Sequence, residues 1–192
     1  MNLAPLYLDS CHLYANRALE LANELEHESG IGAALFNLGN GYFFRMDLEN
    51  AYKYYLHAEN ILEGIDPSEY QGNLYLQLGL INDYVFSSYS MISDEPRSPL
   101  YYYQRAIDVF RTLGNTDAEY YARRMDAKNH DNADTILYLL HQINDHYTHS
   151  DNIYHKFVSL VDLSNEYFHG KRDSLCLNFG LKALEAAKET GD

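Results

Sequence analysis

The chain has 192 residues, and its 14 basic and 28 acidic side chains give a formal net charge of −14 at pH 7. A surface this negative repels phosphate backbones, so we expect no direct binding of DNA or RNA. No apolar run approaches the roughly 18 to 20 residues needed to span a bilayer, and the N-terminus lacks a basic start followed by an apolar stretch. We therefore expect a cytoplasmic protein with no membrane contact.

The placement of glycine and proline predicts an all-α chain. Only 4 Pro and 11 Gly occur, and they fall between long periodic segments, which is typical of helices rather than of many short strands. A lone helix comes first and four helix pairs follow, so about nine helices are expected. The predicted breaks are Glu28–Gly30, Asp47, Gly64–Pro67, Leu113–Asn115, His130–Asn132, Ser150–Asp151 and His169–Gly170.

One segment contains a spaced set of small and large residues that recurs along the chain. Its members are Leu38, Gly39, Tyr42, Ala51, Tyr55 and Ala58. The pattern resembles the tetratricopeptide repeat, a helix–turn–helix unit, with Leu35 at the position where that repeat usually has tryptophan. Two antiparallel helices approach closely only where a side chain is small, so we expect Gly39 and Ala51 to lie at a helix crossing.

Looser copies of the pattern follow at similar intervals. Leu78 restarts it 40 residues after Leu38, Tyr121 stands 43 residues beyond that, and Leu163 another 42. Each second helix has its own marker residue, namely Ala18, Ala58, Ala106, His141 and Ala183. The resemblance implies a single domain, a right-handed α-α superhelix or tetratricopeptide-like solenoid. Its expected units are a half unit at 1–29 and full units at about 30–66, 67–114, 115–150 and 151–192.

Some parts of the chain depart from the regular repeat. The segment 85–99 lengthens the third unit by about eight residues, which predicts an extended loop or longer helices with a wide turn, and it is a candidate lip for a ligand. The fourth unit has a short first helix and no glycine at its crossing. The chain also ends in a turn that normally leads into another unit. We therefore expect a piece of a longer protein, with any output domain beyond Asp192.

The residue types that most often carry catalysis or metal binding form no recognisable motif. Four histidines occur in one stretch, at His141, His146, His149 and His155. Their spacing does not place them on one helix face, as a helical zinc site requires. Cys11 and Cys176 align with Ala51 in the repeat, so we expect both to be buried at crossings rather than to act as nucleophiles. We predict no catalytic residue, no metal and no cofactor.

The first helix of each pair presents a face that, in tetratricopeptide proteins, lines a concave peptide-binding groove. The resemblance implies that the groove residues here are Phe36, Asn40, Phe43, Phe44, Tyr84, Arg123 and Asn165. Leu80 and Asp83 lie on the same face of the third unit. An amide side chain both donates and accepts hydrogen bonds, as recognition of a peptide backbone requires. The alternative is that superhelical packing buries part of this face.

The expected function is recognition of a protein or peptide without catalysis. A net charge of −14 suits a neutral, apolar or basic ligand better than an acidic one. Repeats of about 40 residues resemble those of bacterial regulatory and signalling proteins, which implies a sensor or interaction module. Two alternatives stay open. One is a structural module that acts as a spacer or forms a homodimer, and the other is the sensory half of a signalling enzyme or transcription regulator.

Overall fold

Nine α-helices occupy the part of the chain that the structure describes. This computed structural model describes residues 4–88 and 97–189, with side chains at 10–84 and 97–189. The helices are α1 (Ala4–Glu24), α2 (Glu28–Phe43), α3 (Leu48–Leu62), α4 (Glu69–Ser88), α5 (Pro99–Leu113), α6 (Thr116–Lys128), α7 (Ala133–Thr148), α8 (Ile153–His169) and α9 (Asp173–Glu189). These ranges contain no strand, so the prediction of an all-α chain with about nine helices is confirmed.

Polar side chains begin several helices close to the predicted breaks. Asp47, Ser98, Asn132 and Asn152 each accept a hydrogen bond from the backbone N–H three residues further on. Such caps satisfy donors that the first helical turn leaves unpaired. At the other end of α5, Gly114 adopts the left-handed region with φ 69°, which favours glycine. Local sequence therefore determines where these helices begin and end.

The break before α2 lies earlier than predicted. Its predicted position was Glu28–Gly30, but α2 already begins at Glu28. The imidazole of His27 caps the helix, because its Nδ1 accepts a hydrogen bond from the Gly30 N–H at 3.1 Å. Glu26 turns the chain with φ 51°. Gly30 thus lies inside the helix, where a Cβ would come within 2.6 Å of His27 Nδ1.

The chain divides into two units, Met1–Ala122 and Arg123–Asp192. In the first unit, α1 packs on α2, α2 on α3, α3 on α4 and α4 on α5, and α2 also contacts α4. Contact between the first helices of neighbouring pairs stacks one repeat on the next. The helices of this unit therefore have a solenoid-like arrangement.

Glycine opposite an aromatic ring sets the distance between the two helices of a pair. A Cβ on Gly39 of α2 would lie 2.4 Å from the ring of Tyr55 on α3. In the next pair, a Cβ on Gly79 of α4 would lie 2.5 Å from the ring of Tyr103 on α5. Both tyrosines and Ala51 are fully buried. The predicted crossing at Gly39 and Ala51 is confirmed.

The buried face of α1 differs from the one predicted. Ala15 and Ala22 are buried and Leu19 is half-buried, whereas Cys11 and Ala18 are exposed. The expectation that Cys11 is buried at a crossing is therefore wrong, and the marker residue Ala18 is exposed. The physical reason is rotation about the helix axis. The face that is buried is centred between Ala15 and Leu19, and Cys11 and Ala18 lie at its edge.

Aromatic packing joins α7, α8 and α9 in the second unit, where α7 packs on α8 and α8 on α9. The rings of Tyr167 and Phe179 stack with centroids 5.4 Å apart. His141, at the marker position of the fourth repeat, lies with its Nε2 2.7 Å from the Tyr167 hydroxyl. Cys176 is only half-buried, with its Sγ 3.6 Å from Ser164 Oγ, so it is less enclosed than expected.

A buried carboxylate anchors the last part of α6 in the second unit. Asp162 of α8 is 5% exposed and pairs with both Arg124 and Lys128 of α6. The Lys128 Nζ lies 2.6 Å from Asp162 Oδ1. Two cations around one buried carboxylate offset the cost of removing its charge from water. With 13 residues, α6 is a short first helix, as predicted for the fourth repeat.

The insertion predicted at 85–99 lies partly outside the described residues. Helix α4 continues to Ser88, and α5 begins at Pro99 after the cap at Ser98. The first part of the insertion therefore extends α4, as the longer-helix alternative predicts. Residues 89–96, which include most of the candidate lip, lie outside the described residues.

Replacing Gly39 with alanine is expected to lower the free energy of unfolding by about 1 to 3 kcal/mol, because the new methyl group must displace the buried Tyr55 ring. Urea unfolding followed by circular dichroism measures this change. Gly64→Ala is the control, since no atom beyond the neighbouring residues of the chain lies within 4 Å of a Cβ there. If the two variants were equally stable, close packing at Gly39 would not be the constraint described.

Candidate functional site

A pocket of about 280 Å³ opens in the first unit, where the end of α2 meets the start of α3 and the far end of α4. Its lining residues are Phe43, Met46, Leu48, Leu80, Asp83 and Tyr84. Five of these six side chains are apolar or aromatic, and Asp83 supplies a carboxylate. We call this cavity the Asp83 pocket. Its walls suit an apolar group, and its acid suits a positive charge at the end of that group.

A second cavity of about 410 Å³ runs along α1 and the first half of α2. Its lining includes Leu21, Leu25, Gly30, Ala33, Asn37 and Tyr70. Leu25 is 67% exposed, and Leu21 and Tyr70 are about half exposed. We call this cavity the α1–α2 groove. Because its lining is mostly apolar and open to water, it suits an uncharged apolar side chain.

Three of the predicted site residues meet at the Asp83 pocket. Phe43 and Tyr84 line it, and Phe44 packs edge-to-face on Phe43 with ring centroids 6.1 Å apart. Phe44 is 69% exposed and Tyr84 is 54% exposed. The structure thus brings together aromatic side chains from the end of α2 and from α4 that the resemblance assigned to the groove.

Phe36 and Asn40, also predicted for the site, are engaged by the interior of the first unit. Phe36 is buried, with its ring 5.8 Å from that of Tyr55 and 6.4 Å from that of Tyr70. Asn40 is half-buried, and its Oδ1 accepts a hydrogen bond from the Tyr55 hydroxyl at 2.7 Å. Phe36 therefore packs in the interior beneath the exposed face of α2, and the hydrogen bond to Tyr55 holds Asn40 in a fixed orientation.

The remaining two predicted residues belong to the second unit. Arg123 is half-buried on α6, and Asn165 is exposed on α8. Both stand on first helices of their pairs, which is where the repeat pattern placed them. Neither residue is part of the lining of the Asp83 pocket, which lies entirely in the first unit.

Several lining residues were not predicted from the sequence. Met46 and Leu48 lie in and after the turn between α2 and α3, outside the helix face from which the groove was inferred. Met46 has φ 60° and is 66% exposed, so the turn holds an apolar side chain in water. The sequence signal that could have indicated Met46 is an apolar residue in a turn between two predicted helices. Leu21 and Leu25 lie at the end of α1 and just after it, outside the first helices of the pairs from which the groove residues were inferred.

Among the described residues, several tyrosines in the packing of the first unit have a shifted pKa. Burial raises the pKa of Tyr55, Tyr102 and Tyr103. A strongly shifted pKa often marks a functional site, but these hydroxyls lie in the helix interfaces and line neither cavity. Their shifts therefore reflect the core.

Glu59 is a buried carboxylate on α3, outside both cavities. It is 5% exposed, and its Oε1 accepts a hydrogen bond from Arg97 Nη1 at 2.8 Å. Burial raises the pKa of Glu59, and the positive charge of Arg97 opposes that effect only in part. Arg105 donates a hydrogen bond to the Tyr75 hydroxyl at 2.8 Å in the same network. These groups join α3, α4 and α5 rather than forming an accessible site.

Metal ligation and membrane insertion find no support within the described ranges. Across residues 10–84 and 97–189, no three His, Cys, Asp or Glu side chains are grouped as a metal ion would require. Of the four clustered histidines, His149 places its Nδ1 2.9 Å from the Asp145 carbonyl oxygen. No helix among the described residues is both long enough and apolar enough to cross a bilayer.

Comparison with known proteins leaves the site to be interpreted from its own geometry. No model of a known protein family matches the chain, and no curated protein matches it. The arrangement of the two cavities and the aromatic cluster is therefore the basis for the function proposed below.

Replacing Glu59 with glutamine is expected to raise the free energy of unfolding near pH 7, because burial favours a neutral group at this position. The pKa of Glu59 is higher in the folded state than in the unfolded state, so the carboxyl contributes stability at acidic pH and loses that contribution as the pH rises through the folded pKa. The advantage of the glutamine should therefore vanish near pH 4, as measured by urea unfolding at both pH values.

Glu49→Gln is the control for Glu59→Gln. Glu49 is exposed and pairs with Lys53 on the surface, so its replacement should have little effect at either pH. If Glu59→Gln were less stable than the wild type near pH 7 and not near pH 4, the attraction of Arg97 would outweigh burial.

Proposed function

We propose that the first unit binds a peptide segment at the Asp83 pocket and along the adjoining face of α2 and α4, without catalysis. The observation that carries this proposal is the aromatic cluster of Phe43, Phe44 and Tyr84 at a solvent-open pocket. Large aromatic side chains exposed together in water favour association, since burying them against a ligand releases the cost of hydrating them. Pockets of this kind, with apolar walls and a single charged group, are typical of binding sites.

Polar side chains beside the pocket support recognition of a peptide backbone. Asn37 lines the α1–α2 groove, and Asn40 follows three residues later on the same face of α2. A primary amide donates and accepts hydrogen bonds, as the alternating N–H and C=O groups of a peptide require. The hydrogen bond between Tyr55 and Asn40 keeps one amide in place before a ligand binds, which reduces the entropic cost of binding.

The repeat pattern and the net charge support the same proposal. The pairing of helices at Gly39 and Tyr55 agrees with a tetratricopeptide-like repeat, in which the first helices of the pairs line the binding face. A chain with a net charge of −14 favours a neutral, apolar or basic peptide. We infer an interaction or sensor module of a regulatory protein acting in the cytoplasm.

Replacing Phe44 or Tyr84 with serine is expected to weaken peptide binding about tenfold, because each change removes an aromatic surface on which the ligand packs. Peptides are first selected on the wild-type chain from a random phage-displayed library. Their affinities for each variant are then measured by fluorescence anisotropy. Both side chains are more than half exposed, so the fold is expected to be retained, and circular dichroism checks this.

Tyr154→Ser is the matched control for these variants. Tyr154 is 65% exposed on α8 of the second unit and lines neither cavity. It should leave the affinity unchanged. Selected peptides that bind the Phe44 and Tyr84 variants as well as the wild type would overturn the proposed site, and failure to select any binding peptide would count against the function.

A second candidate function, self-association, is favoured by a leucine stripe on α9. Leu177, Leu181 and Leu184 are 64%, 53% and 53% exposed, and their spacing places them on one face of the helix. The opposite face packs inward through Ala183 and Ala186. We propose that this stripe pairs with α9 of a second copy, since two identical faces meet in a closed two-fold dimer.

Charge complementarity favours an antiparallel pairing of the two helices. Asp173 begins α9 and Lys188 lies in its last turn, so both flank the stripe. The midpoint between Asp173 and Lys188 is also the midpoint between Leu177 and Leu184. When two copies cross antiparallel at that point, each Leu177 meets Leu184 of the second copy and each Asp173 meets Lys188 of the second copy.

Leu181→Glu is expected to abolish the dimer by burying a charge at its centre. Sedimentation velocity over a range of concentrations up to about 100 µM measures this effect. Leu13→Glu, at an exposed leucine of α1, is the control. Asp173→Lys and Lys188→Asp should each weaken the dimer, and the double variant should restore it. A wild-type chain that stays monomeric would exclude this candidate, as would growth beyond a dimer.

A further inference from the structure

We propose that the bound peptide places an arginine side chain in the Asp83 pocket and an apolar side chain, four residues away, in the α1–α2 groove. This inference rests on the proposed function and specifies the ligand for it. It follows from the different chemistry of the two cavities and from the distance between them along α2. Both cavities lie in the first unit.

The lining of the Asp83 pocket matches the parts of an arginine side chain. The apolar walls, such as Leu80 and Phe43, suit its three methylene groups. A guanidinium group stacks on an aromatic ring such as that of Tyr84 and pairs with the two oxygens of a carboxylate. Asp83 supplies that carboxylate, and it is exposed rather than locked in the core.

The α1–α2 groove differs in having no acidic side chain in its lining. Its leucines, glycine and alanines form an apolar surface, which is bordered by polar groups such as His27, Asn37 and Ser68. A basic ligand group placed there would lose hydration without gaining a carboxylate partner. The groove therefore favours an aliphatic or aromatic side chain, and the two cavities bind different residues of one peptide.

The separation of the cavities sets the spacing of the two anchor residues. Ala33 lies in the middle of the α2 residues that line the groove, and Phe43 lines the pocket ten residues later. At 1.5 Å per residue, these points are about 15 Å apart along the helix. Four residues of an extended peptide cover about 13 Å, and residues separated by an even number point to the same side. A spacing of four therefore matches the distance, and it places both anchors on the same side of the extended peptide.

The test uses peptides selected from a random phage-displayed library on the full chain. We expect them to be enriched in an arginine four positions from a leucine, isoleucine, methionine or phenylalanine. Replacing that arginine with citrulline, its neutral isostere, should weaken binding about tenfold, because a charge-assisted hydrogen bond is lost. Shifting the apolar residue by one position should weaken binding by a similar factor.

The chain variant Asp83→Asn isolates the role of the carboxylate. With this variant, the arginine and citrulline peptides should bind within about twofold of each other. Asp66→Asn is the matched control, because it changes the net charge equally at an exposed residue outside both cavities and should preserve the discrimination. Ala33→Lys places a charge in the groove. This variant should weaken binding only of peptides that carry the apolar anchor.

The outcomes separate this inference from the function on which it rests. If selected peptides depend on Tyr84 but lack a basic residue, or tolerate citrulline without loss, the arginine assignment is wrong and peptide binding stands. If binding does not depend on the spacing of the two anchors, the two-cavity assignment is wrong. If the library yields no binding peptide, both the inference and the proposed function fail.

Discussion

The contact between a glycine and an aromatic ring is the constraint on which the first unit depends. Gly39 and Gly79 bring their helices so close to Tyr55 and Tyr103 that a methyl group on either glycine would overlap the ring. Gly72 repeats the contact with the ring of Phe110. Each contact buries a large side chain completely and fixes how far apart two helices stand. The positions of α2 and α4, and hence of the cavities beside them, follow from these distances.

Much of this packing could be predicted from the sequence. The glycine, alanine and tyrosine positions of the clearest repeat were enough to locate the crossing at Gly39 and Ala51, because steric exclusion at a crossing depends on side-chain size alone. Helix ends were predictable where a capping residue such as Asp47 is present. Rotation of a helix about its own axis was not predictable. In α1, a shift of less than a quarter turn exchanges Cys11 for its neighbours at the buried face.

The candidate site was predictable in its helical parts and not in its turn. Phe43, Phe44 and Tyr84 could be assigned to the binding face because they occupy positions that line the groove in the repeat family that the sequence resembles. Met46 joins them through the conformation of a turn, with φ 60°, that no periodicity reveals. Phe36 fits the same pattern but is covered by Tyr70 from the neighbouring pair, a contact that depends on how two repeats stack. Tertiary contacts of this kind decide which members of a face remain exposed.

The burial of several tyrosines lowers the stability of the first unit at strongly alkaline pH. Because burial raises the pKa of Tyr55, Tyr102 and Tyr103, their neutral hydroxyls are favoured in the folded state. A group whose pKa is raised by folding contributes stability below its unfolded pKa and loses it as the pH rises through the folded value. The tyrosine rings pack the repeats together in neutral solution. In strong alkali, ionisation of the same tyrosines stabilises the unfolded chain, so this packing is lost.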